Sequence, residues 1–416
     1  MQLVTYLLLA WGVAVTALLL AFRRRLLACW REPVLRVPVL VLESDDWGAG
    51  PAEQVAALRR LGELLDGVRD AAGRPAVMTL GVVLSIVDRA RWRADRSYTV
   101  NSLAAAEQAD ILRAMHAGIA AGVFAPQLHG MEHYWPDALL RRAAQDARVQ
   151  AWLADDSAMT ESLPDELQSR WIDAATLPSR RLPVARVRAA VAEEARLFAA
   201  LFGAPARVAV PNTFVWNDDV ERAWAEQGVR YVVTPGARYE ARAADGALVP
   251  GGRGIANGDA GMDGLHYLVR DVYFEPARGH RPEAVLDEAA RRAAFGRPVL
   301  IESHRFNYLG DAAEASFAAL GDILRLAPAR LSGLRFTSTE ALGDALVRRD
   351  PQWVERRAGV CFMIWTRRVL ALPRFGRLAR MTGLALILQG LGAFARMVSS
   401  TTSGLLPLDG GGLGRG

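Results

Sequence analysis

The stretch VLVLESDDWG (residues 39–48) runs from an apolar segment straight into two adjacent carboxylates, Asp45 and Asp46. Like charges in contact disfavour joint ionisation unless a cation or a shared proton relieves them. A second stretch, QLHGMEH (127–133), offers His129 and His133, four residues apart. Two imidazoles and one carboxylate would leave open positions on a divalent ion, which is what a hydrolytic site needs. One aspartate would then bind the ion while the other accepts a proton from water. The Asp-Asp pair recurs at 155–156 and 218–219, so the weight rests on the histidine spacing. Glu132 neighbours the second histidine rather than the first, which excludes the HExxH arrangement of zinc proteases.

These residues need elements to position them. The β-branched apolar run at 37–43 reads as a buried parallel strand that delivers the aspartates. Pro51 opens a helix on which Val55, Leu58, Leu61, Leu65 and Val68 share one face. Further strands are predicted at 76–84, 123–128, 207–211, 229–234, 266–274, 297–303 and 334–338. Helices are predicted between them at 104–121, 186–202, 217–227, 282–294 and 312–326. Residues 137–185, with Pro164, Pro178 and Pro183, break the rhythm and read as a mainly helical insertion over the barrel mouth. About eight strands interleaved with helices predict an α/β chain folded as a distorted (β/α) barrel, whose chemistry sits on loops at the carboxyl ends of strands. SDDWG, HGMEH and SHRFNY (303–308) all fall at such ends. No GxGxxG follows the first strand, which argues against a dinucleotide fold.

In motif order the chain resembles the polysaccharide deacetylase family, the NodB-homology carbohydrate esterases. ESDDWG is similar to the family's Thr-Phe-Asp-Asp-Gly, and HGMEH to its His-Ser/Thr-x-x-His. RVAVPNTFVWNDDVERAWAEQGVRYVVT resembles the third motif around Pro211, and VLIESHRFNY the late strand that ends in a histidine. The resemblance covers roughly residues 37–345. It implies a metal-dependent hydrolase that removes an N-acetyl group from an amino sugar. Asp45 would be the general base, Asp46, His129 and His133 the ligands of a zinc-type ion, and His304 the general acid. Asp271 or Glu275 would orient that histidine; Pro211, Trp216, Arg305 and Tyr308 would line the substrate site or support it. Two departures stand out: Ala209 replaces an arginine of the third motif, and Trp47 displaces the glycine after the Asp-Asp pair. They keep a second class open, a membrane-tethered carbohydrate-binding or scaffold protein on the same fold.

Composition bounds the rest. All 50 basic residues are arginine, which excludes Schiff-base chemistry and a phosphate-cradling Walker lysine. The two cysteines, Cys29 and Cys361, give neither a disulfide framework nor a metal knuckle. His116 and His280 are assigned no role, and His266 stays undecided. Residues 3–22 are uncharged and mostly apolar, and RRR follows at 23–25, so 1–25 reads as an uncleaved transmembrane anchor. The deacetylase-like body is expected over 26–350, a basic membrane-associating segment over 351–403, and a Gly-rich disordered tail over 404–416. From 356 on, nine arginines face one acid, Asp409, which suits an anionic membrane surface; no nucleic-acid module appears. Arginines after the anchor place the body on the cytoplasmic side. The expected partners are the membrane and an N-acetylated sugar polymer or lipid-linked glycan.

Overall fold

The computed structural model describes residues 1–252 and 254–402, so the tail expected over 404–416 lies outside the described residues. The chain divides into two compact units. The larger comprises Val37–Ala293 and Pro298–Arg348. The smaller holds Met1–Arg36, Ala294–Arg297 and the described residues from Arg349 onward.

In the larger unit a parallel sheet is built from β1 (Val39–Gly48), β2 (Met78–Val83), β3 (Phe124–Leu128), β4 (Val208–Ala209), β5 (Tyr231–Thr234), β6 (His266–Val269), β7 (Val272–Tyr273), β8 (Val299–His304) and β9 (Arg335–Phe336). Its hydrogen-bonded order is β6-β5-β4-β3-β2-β1-β8-β7. Only Arg270 and Asp271 separate β6 from β7, so the two ends of that order are one stretch of chain. The sheet therefore closes on itself at this seam, forming a barrel. The expected eighth strand at 334–338 shrinks to β9, which pairs only with the first residues of β1. Seven stretches complete the ring.

Between the strands stand α2 (Gln54–Asp66), α3 (Ala109–Ala120), α4 (Val184–Phe202), α5 (Asp218–Glu226), α6 (Pro282–Ala294), α7 (Ala313–Arg330) and α8 (Thr339–Val347), numbered after the N-terminal helix α1 (Gln2–Arg31). All ten residues of β1 are buried, as a strand covered on both faces requires. Leu58, Leu61 and Leu65 of α2 are fully buried in the core that wraps the sheet. Each such side chain contributes about 1.5–3 kcal/mol of burial free energy. Parallel pairing then fixes the chemistry: in the β1–β8 register Asp45 stands opposite His304. The ends of β2 and β3 lie level with them, Trp47 opposite Val82 and Val82 opposite Leu128.

The insertion is only partly helical. Helices Pro136–Ala143 and Ala147–Ala154 give way to short turns and to a two-strand ladder of Ile172–Asp173 with Arg180–Arg181. Prolines at 164, 178 and 183 lack the amide a continuing helix needs. A small separate core (Leu139, Val149, Trp152, Leu163, Leu167, Ile172) holds the segment together.

In the smaller unit α1 runs past the expected boundary at 25, to Arg31. It is the one helix among the described residues long and apolar enough to cross a membrane, with a mean hydropathy of 2.3. Three helices follow late in the chain: α9 (Ala358–Leu370), α10 (Pro373–Met381) and α11 (Leu384–Thr402), with a bend of 100° between the last two. Arg368 of α9 is buried and donates to the carbonyls of Cys29, Glu32, Pro33, Phe295 and Gly296. A cation on the orphan carbonyls at the end of α1 is the favourable pairing for a helix C-terminus.

Candidate active site

Adjacent residues of a regular strand point to opposite faces. Asp45 and Asp46 escape that rule because the β1–β2 register shifts between Ser44 and Trp47, setting both aspartates against Gly81. This is a β-bulge, and Asp46 takes φ +70°, a left-handed conformation rare for any residue but glycine. Both side chains are buried and line one cavity of about 240 Å³. Gly81 is required here, since a Cβ at that position would run into the Asp45 carboxylate. Trp47, at the position where the motif departs, packs inward: it is fully buried, stacks on Tyr308 and donates to Ser44 Oγ at 2.9 Å.

On the cavity wall, Asp46 Oδ1 lies 3.4 Å from His129 Nε2 and 3.5 Å from His133 Nε2. Ligand atoms about 2.1 Å from an ion at tetrahedral angles stand about 3.4 Å apart. Asp46 Oδ1 is buried and accepts no hydrogen bond, so the three atoms frame a place for a cation. His129 Nδ1 donates to the Val210 carbonyl at 2.9 Å, so in the neutral ring Nε2 is the bare nitrogen, and it faces Asp46. Burial pushes His133 down to about 4, so its imidazole is neutral. Burial opposes charge on His129 too, but Asp45 and Asp46 outweigh it and raise its pKa. Burial likewise works against an ionised Asp46, yet the two imidazoles hold it well below the usual carboxylate range. One carboxylate and two imidazoles form a donor set that suits a zinc-type ion.

Asp45 is held differently. Arg270 Nη2 lies 2.6 Å from Asp45 Oδ2, and the same guanidinium faces Glu43 at 3.3 Å and Glu302 at 3.4 Å. Burial disfavours the Asp45 charge, but Arg270 overcomes it and keeps the pKa low. Asp45 Oδ1 is buried with no donor, so one oxygen is fixed and the other is free to take a proton. Across the register His304 Nδ1 meets Glu275 Oε1 at 2.5 Å. Burial opposes the His304 cation; Glu275, Asp46 and Asp45 reverse this and push its pKa up to about 10.

A clamp holds the histidine loop. Arg170, from the insertion, pairs with Glu132 and lies 3.3 Å from Glu194. Glu194 accepts from the Met131 amide at 3.1 Å. Glu132 is thus engaged away from the ion site. Arg270, Arg170, Glu194 and Glu161, the last lining the same cavity, carry no sequence signature; each is one charged residue among many, and only the fold brings it here.

Other predicted residues divide. Pro211 lines the cavity, and Glu275 rather than Asp271 holds His304. Asp271 pairs instead with Arg292 at 2.5 Å. Trp216 is fully buried, and its indole donates to Glu221 at 2.7 Å within the core. Tyr308 is 2% exposed, packed between Trp47 and Phe317, so it supports the motif from behind. Both aromatics answer the demand for core volume. Arg305 lines a neighbouring cavity. His280 accepts from the Glu275 amide at 3.1 Å, a supporting contact for a residue assigned no role.

No family model and no curated protein matches the chain. Solved structures do. A family 4 carbohydrate esterase from Streptomyces lividans in complex with acetate overlays on 73% of this chain and 92% of its own, at 14% identity and TM-score 0.34. A family 4 pseudoenzyme from Bacillus anthracis overlays on 74% and 66%, at 10% identity and TM-score 0.37. A 4-alpha-glucanotransferase from Thermococcus litoralis overlays on 73% of this chain, at 9% identity and TM-score 0.38; the chain spans 40% of that enzyme's length.

Proposed function

We propose that the protein is a metal-dependent carbohydrate N-deacetylase, removing an acetyl group from an amino sugar in a polysaccharide or lipid-linked glycan. The observation that carries the reading is the asymmetry of the two aspartates: Asp46 faces two imidazoles, while Asp45 faces an arginine and stands in register with His304. A zinc-type ion on Asp46, His129 and His133 would polarise the acyl carbonyl. Asp45 Oδ1 takes a proton from the water that adds to the carbonyl carbon. His304, its Nδ1 held by Glu275, delivers a proton through Nε2 to the nitrogen as the C–N bond breaks. Acetate and a free amine leave. Acetate release from N-acetylglucosamine oligomers by the zinc-loaded protein tests the assignment, with Asp45→Asn as the control that loses release.

A second reading, a non-catalytic carbohydrate-binding or scaffold protein, is favoured by Glu161. Its carboxylate lines the same cavity, and both oxygens are buried without a donor. Burial and the neighbouring Asp46 push its pKa up to about 7. Under this reading Glu161 closes the site, and the loaded protein binds oligomers without releasing acetate.

We further propose that α1 anchors the chain, with the arginines at 23–25 keeping the barrel on the cytoplasmic side. The exposed Leu386, Ile387, Leu391 and Phe394 of α11, with basic residues before them, suit an anionic leaflet. Alkaline phosphatase activity from a fusion after residue 350, without fluorescence from a cytoplasm-only reporter, would reverse the orientation.

A further inference from the structure

His304 and Arg305 are neighbours in the chain but line different cavities. His304 lines the ion-site cavity, and Arg305 lines a second one of about 650 Å³ bordered by Gly50, Arg89 and Asn101. Thr160, from the insertion, borders both. Arg305 is 4% exposed, and its Nε and Nη1 are buried without any acceptor. It forms no hydrogen bond or ion pair with a described residue. Asp46 and Glu161 attract it from the first cavity without bonding to it, and burial lowers its pKa.

A desolvated guanidinium without acceptors is strongly unfavourable. None of the three acids that line the second cavity is bonded to Arg305: Asp88 accepts the Arg91 amide as a helix cap, Asp156 pairs with Arg93, and Glu53 makes no contact with the guanidinium. Arg89 adds a second buried cation whose Nε also lacks an acceptor. A guanidinium that borders a cavity and has no acceptor in the protein suits an oxyanion, carboxylate or phosphate, which it can meet with two parallel bonds.

We propose that this second cavity is a subsite for an oxyanion-bearing group of the substrate, one sugar away from the acetamide, and that Arg305 reads it. The proposal rests on the deacetylase reading of the first cavity. The oxyanion has two sources, the carboxylate of an acidic sugar or the phosphate of a sugar phosphate, and the probes separate them.

The test is calorimetric binding to the full zinc-loaded chain in detergent, in the Asp45→Asn background so that nothing turns over. The probes are a neutral N-acetylglucosamine dimer, an N-acetylated disaccharide carrying a carboxylate, and the dimer 1-phosphate. At least one anionic probe is expected to bind about 10-fold more tightly than the neutral dimer, a preference that Arg305→Gln removes. The charged probe that binds tighter identifies the source. Equal binding of all three, or a preference that persists in Arg305→Gln, would overturn the assignment. Should Arg305→Gln not fold, Arg305→Lys keeps the charge and loses the fork; a preference of undiminished size there also overturns it. Anion preference without acetate release from the wild type sinks the deacetylase reading alone. Acetate release at equal kcat/KM from all three probes sinks the subsite alone.

Discussion

Arg270 Nη2 stands 2.6 Å from Asp45 Oδ2, and the arginine comes from the barrel seam, not from the strand where the family resemblance placed one. Ala209 holds that position in β4. The guanidinium thus reaches the first aspartate from the stretch that joins β6 to β7, and it is buried among Glu43, Asp45 and Glu302.

Arg270→Gln should lower kcat/KM by about 100-fold while leaving the bound ion in place. Arg270 holds Asp45 low, and a general base must be ionised to act. Removing the cation raises that pKa, so the acidic limb of the rate profile moves to higher pH. A pH–rate profile beside a metal assay checks both parts; an unmoved limb would remove Arg270 from the mechanism.

Glu275→Gln acts on the opposite limb. The carboxylate helps hold His304 at about 10, and the acid must carry its proton to deliver it. Without Glu275 that pKa falls, so the basic limb moves to lower pH while the ion stays bound. Substituting Asp271, paired to Arg292, should leave the limb where it is.

Glu194 touches neither ion nor substrate, yet it anchors the loop between His129 and His133 through the Met131 amide. Glu194→Gln should weaken zinc affinity by about 10-fold or more, read by competition with a chromophoric chelator. The Asp45→Asn variant serves as the unaffected reference.

Glu43 gives a stability test. Burial pushes its pKa from 4.5 up to about 7, against the pull of Arg270. Between those values the folded chain holds a proton that the unfolded chain has released. The contribution is therefore full below 4.5 and is lost as pH rises through 7. It amounts to about 3 kcal/mol. Denaturant unfolding of Glu43→Gln and wild type from pH 5 to 7.5 should show the variant with the flatter dependence.

The alternation of apolar strands and helices was legible, because buried parallel strands read as continuous apolar runs and their helices keep an apolar face. The histidine pair and the adjacent aspartates were legible from residue type and spacing, and the structure gathers Asp46, His129 and His133 into a cluster that could hold an ion. The bulge was not: nothing in ESDDWG says that Asp46 adopts a positive φ, and a regular strand would have split the two carboxylates. Arg270 lies 225 positions from Asp45, so only barrel closure reveals the pair. Trp216 and Tyr308 are both buried, since an aromatic beside a motif serves core volume as readily as a sugar ring.

The division of labour between adjacent aspartates is the central claim, and the ion content of two variants tests it most directly. Purified wild type and Asp45→Asn, both loaded with zinc and desalted, should each retain about one ion per chain by elemental analysis, while Asp46→Asn should retain almost none. Equal retention by the two variants, or loss in Asp45→Asn with retention in Asp46→Asn, would contradict the account.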